Sequence, residues 1–415
     1  MSAHPSTGLL NPYFGIEIEI FLRLKPAVEE NIKEKIRARK RLPDYWKTWD
    51  FNLENSQGDQ RHEDKKMKQL ARVGYAILDL LDQNLGEGHG WGMANDQSLK
   101  GDLLTEPSNP RKWWGAEIIS PPLAAGSNWR ADIKTVFASL GNVFDFWTND
   151  YCSCHVHVSP GPKNNSKYTM SQLMQIAKGA LFWEDALKQI LPHERRTNRY
   201  AGPNWLAVAR QEYMSVSCHG WKPVFDKISR LAARPTSTAD FAKKMTIIEP
   251  DPNHPETRYL STSFSPLARL GTVEFRRQAG VASAQTAIHR VLLALTLYTS
   301  AVNLNFDREG ERYRKKHPDE NALIDVLCRS LENNLPAKAG WGVDFRAWLE
   351  QCASDYESDE EYRRFGEREI NEREGNMRRY GTVTLAIGET REPPAPPRRK
   401  HSRRGCGGAS DKGKM

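Results

Sequence analysis

Four short stretches of this chain are rich in β-branched and aromatic residues, and in three of them polar side chains recur with a period of two residues. The first, FGIEIEIF, places Glu17 and Glu19 between isoleucines, and the third, CHVHVS, places His155 and His157 beside valines. β-Branched and aromatic residues favour strands, in which residues two apart point to the same side. We therefore predict strands, each with its polar side chains on one face, over residues 14–21, 115–121, 154–159 and 271–277.

Other parts of the chain have apolar residues three and four apart, which predicts helices. We predict them over residues 25–41, 67–85, 129–147, 169–191, 284–303, 322–331 and 357–379. Residues 55–68 are polar, and we predict an irregular segment there. Residues 193–203 are rich in arginine and end in Ala-Gly-Pro, which predicts a loop of the kind that often carries function.

The connections between the predicted strands are long and irregular, and no Gly-rich phosphate loop is visible, which argues against a doubly wound parallel sheet. We predict an α+β fold, with a curved, mainly antiparallel sheet and helices packed on its outer face. The predicted segments are a catalytic domain over residues 13–305 with a charged insertion at about 25–70, a helical extension over 306–390, and a disordered basic tail over 391–415.

The formal net charge of +8 is concentrated at the C-terminus. Residues 391–415 hold eight Lys or Arg against Glu392 and Asp411, so the rest of the chain is nearly neutral. Such a block, without periodic apolar residues, is typical of a solvated tail. A nuclear-import signal or a weak anion-binding arm is the alternative, and we expect no specific nucleic-acid partner.

Six cysteines spread over 415 residues do not form a disulfide framework and suit a reducing compartment. The chain has no long apolar run and no secretory leader. We therefore expect a cytoplasmic protein with no membrane span, and nuclear localisation through the basic tail is the alternative.

Carboxylates and imidazoles on the predicted strand faces indicate a metal site. Several carboxylates on a sheet face are costly to desolvate, and a divalent cation is a common way to neutralise them. Each motif alone has a simpler explanation: solvated acids, one core histidine, or a surface ion pair between Glu274 and Arg276. The acids and imidazoles concerned are Glu17, Glu19, Glu117, His155, His157 and Glu274.

The order of the four motifs resembles that of the amidoligase family in the glutamine synthetase-like carboxylate-amine ligase superfamily. The resemblance covers about residues 13–305 apart from the insertion, and it implies a glutamine synthetase-like catalytic domain. The motifs are Gly-x-Glu-x-Glu from Gly15, Gly-x-Glu-x-x-Ser-Pro from Gly115, His-x-His from His155 and Thr-x-Glu-Phe-Arg from Thr272.

The resemblance implies an ATP-dependent ligase that joins a carboxylate to an amine through an acyl-phosphate, with Mg²⁺ as the metal. Carried over by position, Glu17 and Glu19 would each face a metal ion. Glu117 would complete one metal site, and His155 with Glu274 would complete the other.

The remaining roles implied by the resemblance concern the nucleotide and the substrate. His157 would lie nearer the nucleotide, Arg276 near the transferred phosphoryl group, and Arg258 against a substrate carboxylate or a nucleotide phosphate. The substrates would be a small-molecule or peptide carboxylate and an amine, whose identities the sequence leaves open.

Two other functions stay open at this point. A His-x-His pair with a carboxylate could bind zinc or iron in a hydrolase or oxygenase. Alternatively, the protein could be a catalytically inactive member of the family that binds partners through its charged insertion and its tail.

Overall fold

The structure is a computed structural model. It describes residues 10–55, 58–96, 99, 113–149, 151–162, 167–196, 198, 200–233, 237–246, 259–336 and 341–358. The candidate residue Arg258, the basic tail at 391–415 and nearly all of the helix predicted over 357–379 lie outside the described residues.

The described strands form one sheet of eight. They are β1 (Tyr13–Leu24), β2 (Gly92–Ala94), β3 (Trp114–Ile119), β4 (Leu123–Ala124), β5 (Phe144–Trp147), β6 (Cys154–Ser159), β7 (Thr262–Ser263) and β8 (Val273–Phe275). The helices among the described residues are α1 (Pro26–Arg37), α2 (Asp44–Lys47), α3 (Gln60–Leu85), α4 (Trp129–Gly141), α5 (Met170–Phe182), α6 (Glu184–Gln189), α7 (His193–Arg196), α8 (Trp205–Val208), α9 (Arg210–Met214), α10 (Val216–His219), α11 (Lys222–Ala233), α12 (Thr238–Thr246), α13 (Ala284–Asn303), α14 (Phe306–Tyr313), α15 (Glu320–Asn334) and α16 (Trp341–Ser358), with a 3₁₀ helix at Ser265–Ala268.

Strand β1 is the centre of the sheet, whose main order is β2-β3-β1-β6-β8-β7. Its 12 residues are long enough to pair with β3 and β4 along one edge and with β5 and β6 along the other. All strand pairs are antiparallel. The predicted α+β fold with a mainly antiparallel sheet is therefore confirmed.

The strand register places the polar residues of the predicted motifs on one face of the sheet. Residues directly opposite each other in antiparallel strands share a face and lie close together. The opposed pairs are Glu17 with His155, Glu19 with Glu117, and His157 with Glu274. Acids and imidazoles from four strands, β1, β3, β6 and β8, therefore meet on that face.

The other face of β1 and β6 is apolar and buried. Ile16, Ile18 and Ile20 of β1 and Val156 and Val158 of β6 are at most 1% exposed. Helix α13 contacts both strands, and α4 and α5 pack beside it. The helix has the bounds that the sequence predicted, 284–303, and the Ser283 hydroxyl accepts the Thr286 N–H at its first turn. This layer fixes the strands that carry the polar face.

The helix predicted over 129–147 is wrong in its last part. Helix α4 ends at Gly141, and Phe144–Trp147 forms strand β5, which pairs with residues 21–24 of β1. Phe144 is buried as the sequence predicted, but as a strand residue. The sequence FDFW has the aromatic, alternating character of a strand, and the free edge of β1 provides its partner.

The irregular segment predicted over 55–68 is also wrong in its second half. Helix α3 begins at Gln60, where the Asp59 carboxylate accepts the His62 N–H at 2.9 Å as an N-cap. A capped first turn stabilises a polar stretch that lacks apolar periodicity of its own. The same helix then buries Val73, Ile77 and Leu81.

The loop predicted over 193–203 contains a short helix, His193–Arg196, and Arg195 in it is buried. The helix predicted over 169–191 breaks at Trp183 into α5 and α6, and α15 is longer than predicted, at Glu320–Asn334.

No single helix in the described ranges has the length and hydropathy of a membrane span. Only α13 and α14 together reach that length and hydropathy, and these two helices are bent by 94° relative to each other.

Candidate functional site

The predicted site residues on the described strands converge on the polar face of the sheet. Glu17 lies at the centre because β1 pairs with β3 on one side and with β6 on the other. The seven residues that meet there are Glu17, Glu19, Glu117, His155, His157, Glu274 and Arg276.

His155 faces three carboxylates through one ring nitrogen. Its Nδ1 lies 3.4 Å from Glu17 Oε2, 3.7 Å from Glu19 Oε1 and 3.6 Å from Glu274 Oε1. One ring N–H cannot bond to three carboxylates at these distances. His155 therefore cannot satisfy all three carboxylates at once.

His157 is oriented by a second contact. Its Nδ1 lies 3.0 Å from the Thr272 hydroxyl, whereas its Nε2 lies 3.2 Å from Glu17 Oε1 and 3.7 Å from Glu274 Oε1. Nε2 is buried and makes no hydrogen bond within the described residues. If Nδ1 carries the proton, the Nε2 lone pair points among the carboxylates, as in a metal ligand held by an outer contact.

Two overlapping groups of these residues could each hold a metal ion. The ligand atoms within each group all lie within 4.8 Å of one another. The groups are Glu17, His157 and Glu274, and Glu17, Glu117 and His155. Carboxylate-rich sets of this kind suit Mg²⁺, which prefers oxygen ligands. The buried His157 Nε2, which lies 3.2 Å from Glu17 Oε1 and 3.7 Å from Glu274 Oε1, also fits a site that receives a cation.

These two ligand groups differ in part from the metal sites that the family resemblance implied for the same residues. His157 joins Glu274, and His155 joins Glu117, although His155 Nδ1 also lies 3.6 Å from Glu274 Oε1. Glu19 belongs to neither group, and its Oε2 accepts the Ser153 N–H at 2.6 Å. The individual metal roles therefore stay predictions, whereas the convergence of the residues is observed.

The carboxylates of the site have pKa values shifted in opposite directions. Burial raises the pKa of Glu17, but contacts with His155 and His157 outweigh it and hold that pKa below its usual value. Burial raises the pKa of Glu117 to about 8, helped by the negative charges of Glu17, Glu19 and Asp96. Near neutral pH the metal-free site therefore keeps Glu17 ionised and Glu117 protonated.

Arg276 brings a fixed positive charge to the edge of the acid cluster. Its guanidinium pairs with Glu274 and lies over the ring of Tyr259, 5.6 Å from the ring centroid. Tyr259 in turn packs edge-on against Tyr200. The salt bridge that the sequence suggested as the simpler explanation does form, but it forms inside the cluster rather than on the surface.

A cavity of about 260 Å³ opens onto this cluster. It is lined by Glu17, Glu19, Asn95, Asp96, Glu117, Tyr151, Ser153, His155, Tyr200, Tyr259 and Arg276. The sequence did not predict Asn95, Asp96, Ser153 or the three tyrosines as site residues. The only signals were the arginine-rich stretch that contains Tyr200 and the Arg258-Tyr259 pair, neither of which points to an aromatic wall.

A family model described as "putative amidoligase enzyme" matches residues 11–297. The match covers more than half of the chain and includes every strand of the polar face. The chain belongs to this amidoligase family. The membership predicted from the four motifs is thus confirmed, and no curated protein matches the chain.

A second cavity of about 200 Å³ is lined by Glu17 and His157. Apart from these two residues, its lining is mainly apolar or hydroxylic. The other lining residues are Tyr13, Phe14, Gly15, Ile16, Ile119, Ser120, Pro122, Ser159, Leu270 and Thr272. The two cavities share Glu17 and therefore adjoin at the acid cluster.

A buried network holds the strand end that carries Arg276. The Arg277 guanidinium pairs with Glu184 and donates to the carbonyl oxygens of Arg195, at 3.4 Å, and Arg196, at 2.9 Å. Arg195 donates in return to the carbonyl oxygen of Arg276 at 2.8 Å. This reciprocal pair of arginines fixes the backbone of Arg276, so it acts on the site through position rather than through contact with a ligand.

Proposed function

We propose that this amidoligase is an ATP- and Mg²⁺-dependent carboxylate-amine ligase that forms an amide or isopeptide bond through an acyl-phosphate. A glutamine synthetase-like arrangement of the catalytic domain is part of the proposal. The observation that carries it is the pair of carboxylate-rich ligand groups that share Glu17 on one sheet face. Two adjacent cation sites suit the binding of a triphosphate.

The proposed reaction has two steps. A substrate carboxylate oxygen attacks the γ-phosphorus of ATP, which forms the acyl-phosphate and releases ADP. The amine nitrogen then attacks the acyl carbon, inorganic phosphate leaves, and the amine loses a proton. Such chemistry depends on positioning and charge neutralisation more than on a protein nucleophile, which agrees with a site made of acids, imidazoles and one arginine.

Each residue has a proposed role in this reaction. Bound Mg²⁺ would neutralise phosphate charge as a Lewis acid. Glu17, His157 and Glu274 would hold one ion, while Glu117 and His155 would hold the other together with Glu17. Glu19, which lies outside both groups, would bind a metal ion directly or through a water molecule.

Arg276 is the proposed contact for the transferred phosphoryl group. Its pairing with Glu274 keeps the guanidinium beside one ligand group. Phosphate oxygens could accept hydrogen bonds from the guanidinium in place of Glu274 or together with it. Arg258 stays a proposed contact for a substrate carboxylate or a nucleotide phosphate.

The two cavities suggest where each substrate binds. The mainly apolar 200 Å³ cavity beside His157 suits a nucleobase, which agrees with a place for His157 near the nucleotide. The 260 Å³ cavity, which is lined by acids and by Arg276, suits the carboxylate and the amine. The amine would enter as an ammonium ion attracted by the acids, and it would release one proton to solvent or to an ionised carboxylate of the cluster before its nitrogen attacks.

The zinc or iron alternative receives less support from the geometry. Each ligand group has one histidine and two carboxylates, whereas the usual open iron site has two histidines and one carboxylate. Metal analysis of protein purified without added metal separates the two. Stoichiometric zinc or iron would overturn the magnesium assignment.

The proposal is tested by incubating the full-length protein with ATP, Mg²⁺ and a mixture of cellular metabolites and peptides. We expect ADP release that depends on the mixture, and a product whose mass equals carboxylate plus amine minus water. Hydroxylamine as the amine should trap the activated acid as a hydroxamate. Absence of Mg-ATP binding, together with no turnover across a broad panel, would favour the inactive binding protein instead.

The affinity for Mg²⁺ is expected to rise with pH. With a pKa of about 8, Glu117 is protonated below that pH and must lose its proton to bind a cation, so affinity increases as pH rises. Between pH 7 and pH 9 the ionised fraction grows about tenfold, and the affinity should follow. Calorimetric titration of the nucleotide-free protein with Mg²⁺ measures the change.

The matched control is Glu117→Gln, which keeps the size of the side chain and removes its titration. This variant should bind Mg²⁺ more weakly and lose most of the pH dependence in that range. An equally steep rise in the variant would assign the proton release to another group.

A further inference from the structure

The charged insertion contains a groove that the proposed ligase site does not use. It has a volume of about 430 Å³ and lies between α1, the segment after α2 and α3. The lining residues are Lys33, Thr48, Trp49, Asp50, Phe51, Asn52, Lys65, Lys68 and Arg72. Four cations and one carboxylate thus face one open cleft.

The cations of the groove are poorly compensated. Lys65 and Lys68 are exposed and, within the part of the chain that the structure describes, have no hydrogen bond or ion pair. Lys33 has one acidic partner, Glu29, on its own helix. Residues 65, 68 and 72 are spaced so that their side chains lie on the same face of α3. The groove therefore presents a net positive charge to solvent.

Arg72 is held in place rather than left mobile. Its Nη1 donates to Gln69 Oε1 at 3.1 Å, and its Nε donates to the Thr48 hydroxyl at 3.1 Å. Gln69 is fully buried and also accepts the Asp50 N–H, at 3.1 Å. Both acceptors of Arg72 are neutral, so its charge stays available while its position is fixed.

The single carboxylate of the groove is engaged by the backbone. Asp50 Oδ1 accepts the N–H groups of Asn52, at 3.1 Å, and Leu53, at 3.0 Å. It therefore holds the turn that forms the floor and is less available to pair with the lysines. Lys33 lies over the ring of Phe51, 5.1 Å from its centroid, which places this cation at the wall.

We propose that this groove binds an acidic polypeptide segment, one whose glutamate or aspartate side chains meet Lys65, Lys68 and Arg72. Charge complementarity selects an anionic partner. A lining that also offers the exposed Asn52 amide suits peptide groups. Nucleic acid is less suited, because Trp49 is buried and Phe51 is covered by Lys33, so neither ring is free to stack on a base. The inference rests on the groove and not on ligase activity.

The test uses the full-length protein and a fluorescein-labelled oligo-glutamate peptide, with binding followed by fluorescence anisotropy. The double variant Lys65→Glu, Lys68→Glu is expected to bind at least about tenfold more weakly, because like charges then face each other in the groove. The matched control, Lys134→Glu with Lys243→Glu, makes the same charge change at exposed helical positions outside the groove and should weaken binding less than about twofold.

The milder double variant Lys65→Gln, Lys68→Gln is included in case the charge-reversed protein misfolds. Its loss of affinity for the peptide should be intermediate. Equal loss in the groove and control variants would show non-specific attraction, to which the basic tail contributes, and would overturn the proposal. So would failure of the wild type to bind the peptide. Tighter binding of a single-stranded oligonucleotide with the same dependence on Lys65 and Lys68 would assign the groove to nucleic acid instead.

Discussion

Replacing Glu17 and Glu274 together with glutamine is expected to abolish ATP-dependent ligation while the protein stays folded. Glu17 belongs to both ligand groups and Glu274 to one, so each group loses at least one charged oxygen donor. Loss of such preorganised charge lowers turnover by about 10³-fold or more. Product formation by mass spectrometry and ADP release measure the loss, and circular dichroism checks the fold.

Glutamine keeps the size of both side chains, so the packing of β1 and β8 should survive. A matched control replaces two exposed acids, Glu30 and Glu311, with glutamine, which makes the same formal charge change away from the cluster. This control should keep turnover within about twofold of wild type. A fully active Glu17→Gln, Glu274→Gln protein would refute the assignment of these two residues as metal ligands required for ligation.

Glu184→Ala is expected to lower the free energy of unfolding by about 3–5 kcal/mol, because it leaves the Arg277 charge buried without its partner. The two side chains are 0% and 2% exposed, so water cannot replace the lost carboxylate. Glu184 also lies 3.4 Å from the Ser261 hydroxyl, which would lose that acceptor as well. The midpoint of urea denaturation, followed by circular dichroism, measures the change.

The matched control is Asp325→Ala, which breaks an ion pair with Arg346 whose side chains are 56% and 42% exposed. Exposed pairs contribute at most about 1 kcal/mol, so this variant should be nearly as stable as wild type. Equal losses in the two variants would mean that the buried pair has no special role. Because Arg195 and Arg277 fix the backbone of Arg276, Glu184→Gln, which retains an acceptor, should recover part of both stability and turnover.

The sequence was most informative where a local pattern fixes a local structure. The alternation around Glu17 and around His155 predicted strands and the face that their polar side chains share, because side-chain direction in a strand depends only on position along the chain. The apolar run of 284–303 likewise predicted helix α13, whose bounds agree with the structure. The four motifs in order also predicted the family, which the match over residues 11–297 bears out.

The local sequence pattern did not predict the structure where contacts with other residues or segments decide it. Phe144–Trp147 continues a helical spacing of apolar residues, yet it forms a strand because β1 has an unpaired edge beside it. Residues 60–68 lack an apolar stripe, yet they form the first turns of α3 because Asp59 caps them. The sequence did not predict the wall of tyrosines in the site, since Tyr200 and Tyr259 meet only through folding.

The sequence by itself determined that this protein has strands with acids or imidazoles on one side, and that it belongs to the amidoligase family. Only the tertiary structure decided which of those groups meet, placing His157 against Glu274 and Glu19 against Ser153, and forming the groove of the insertion. The physical reason is that side-chain direction follows from neighbouring residues, whereas register and cavities depend on hydrogen bonds and packing between segments far apart in the chain.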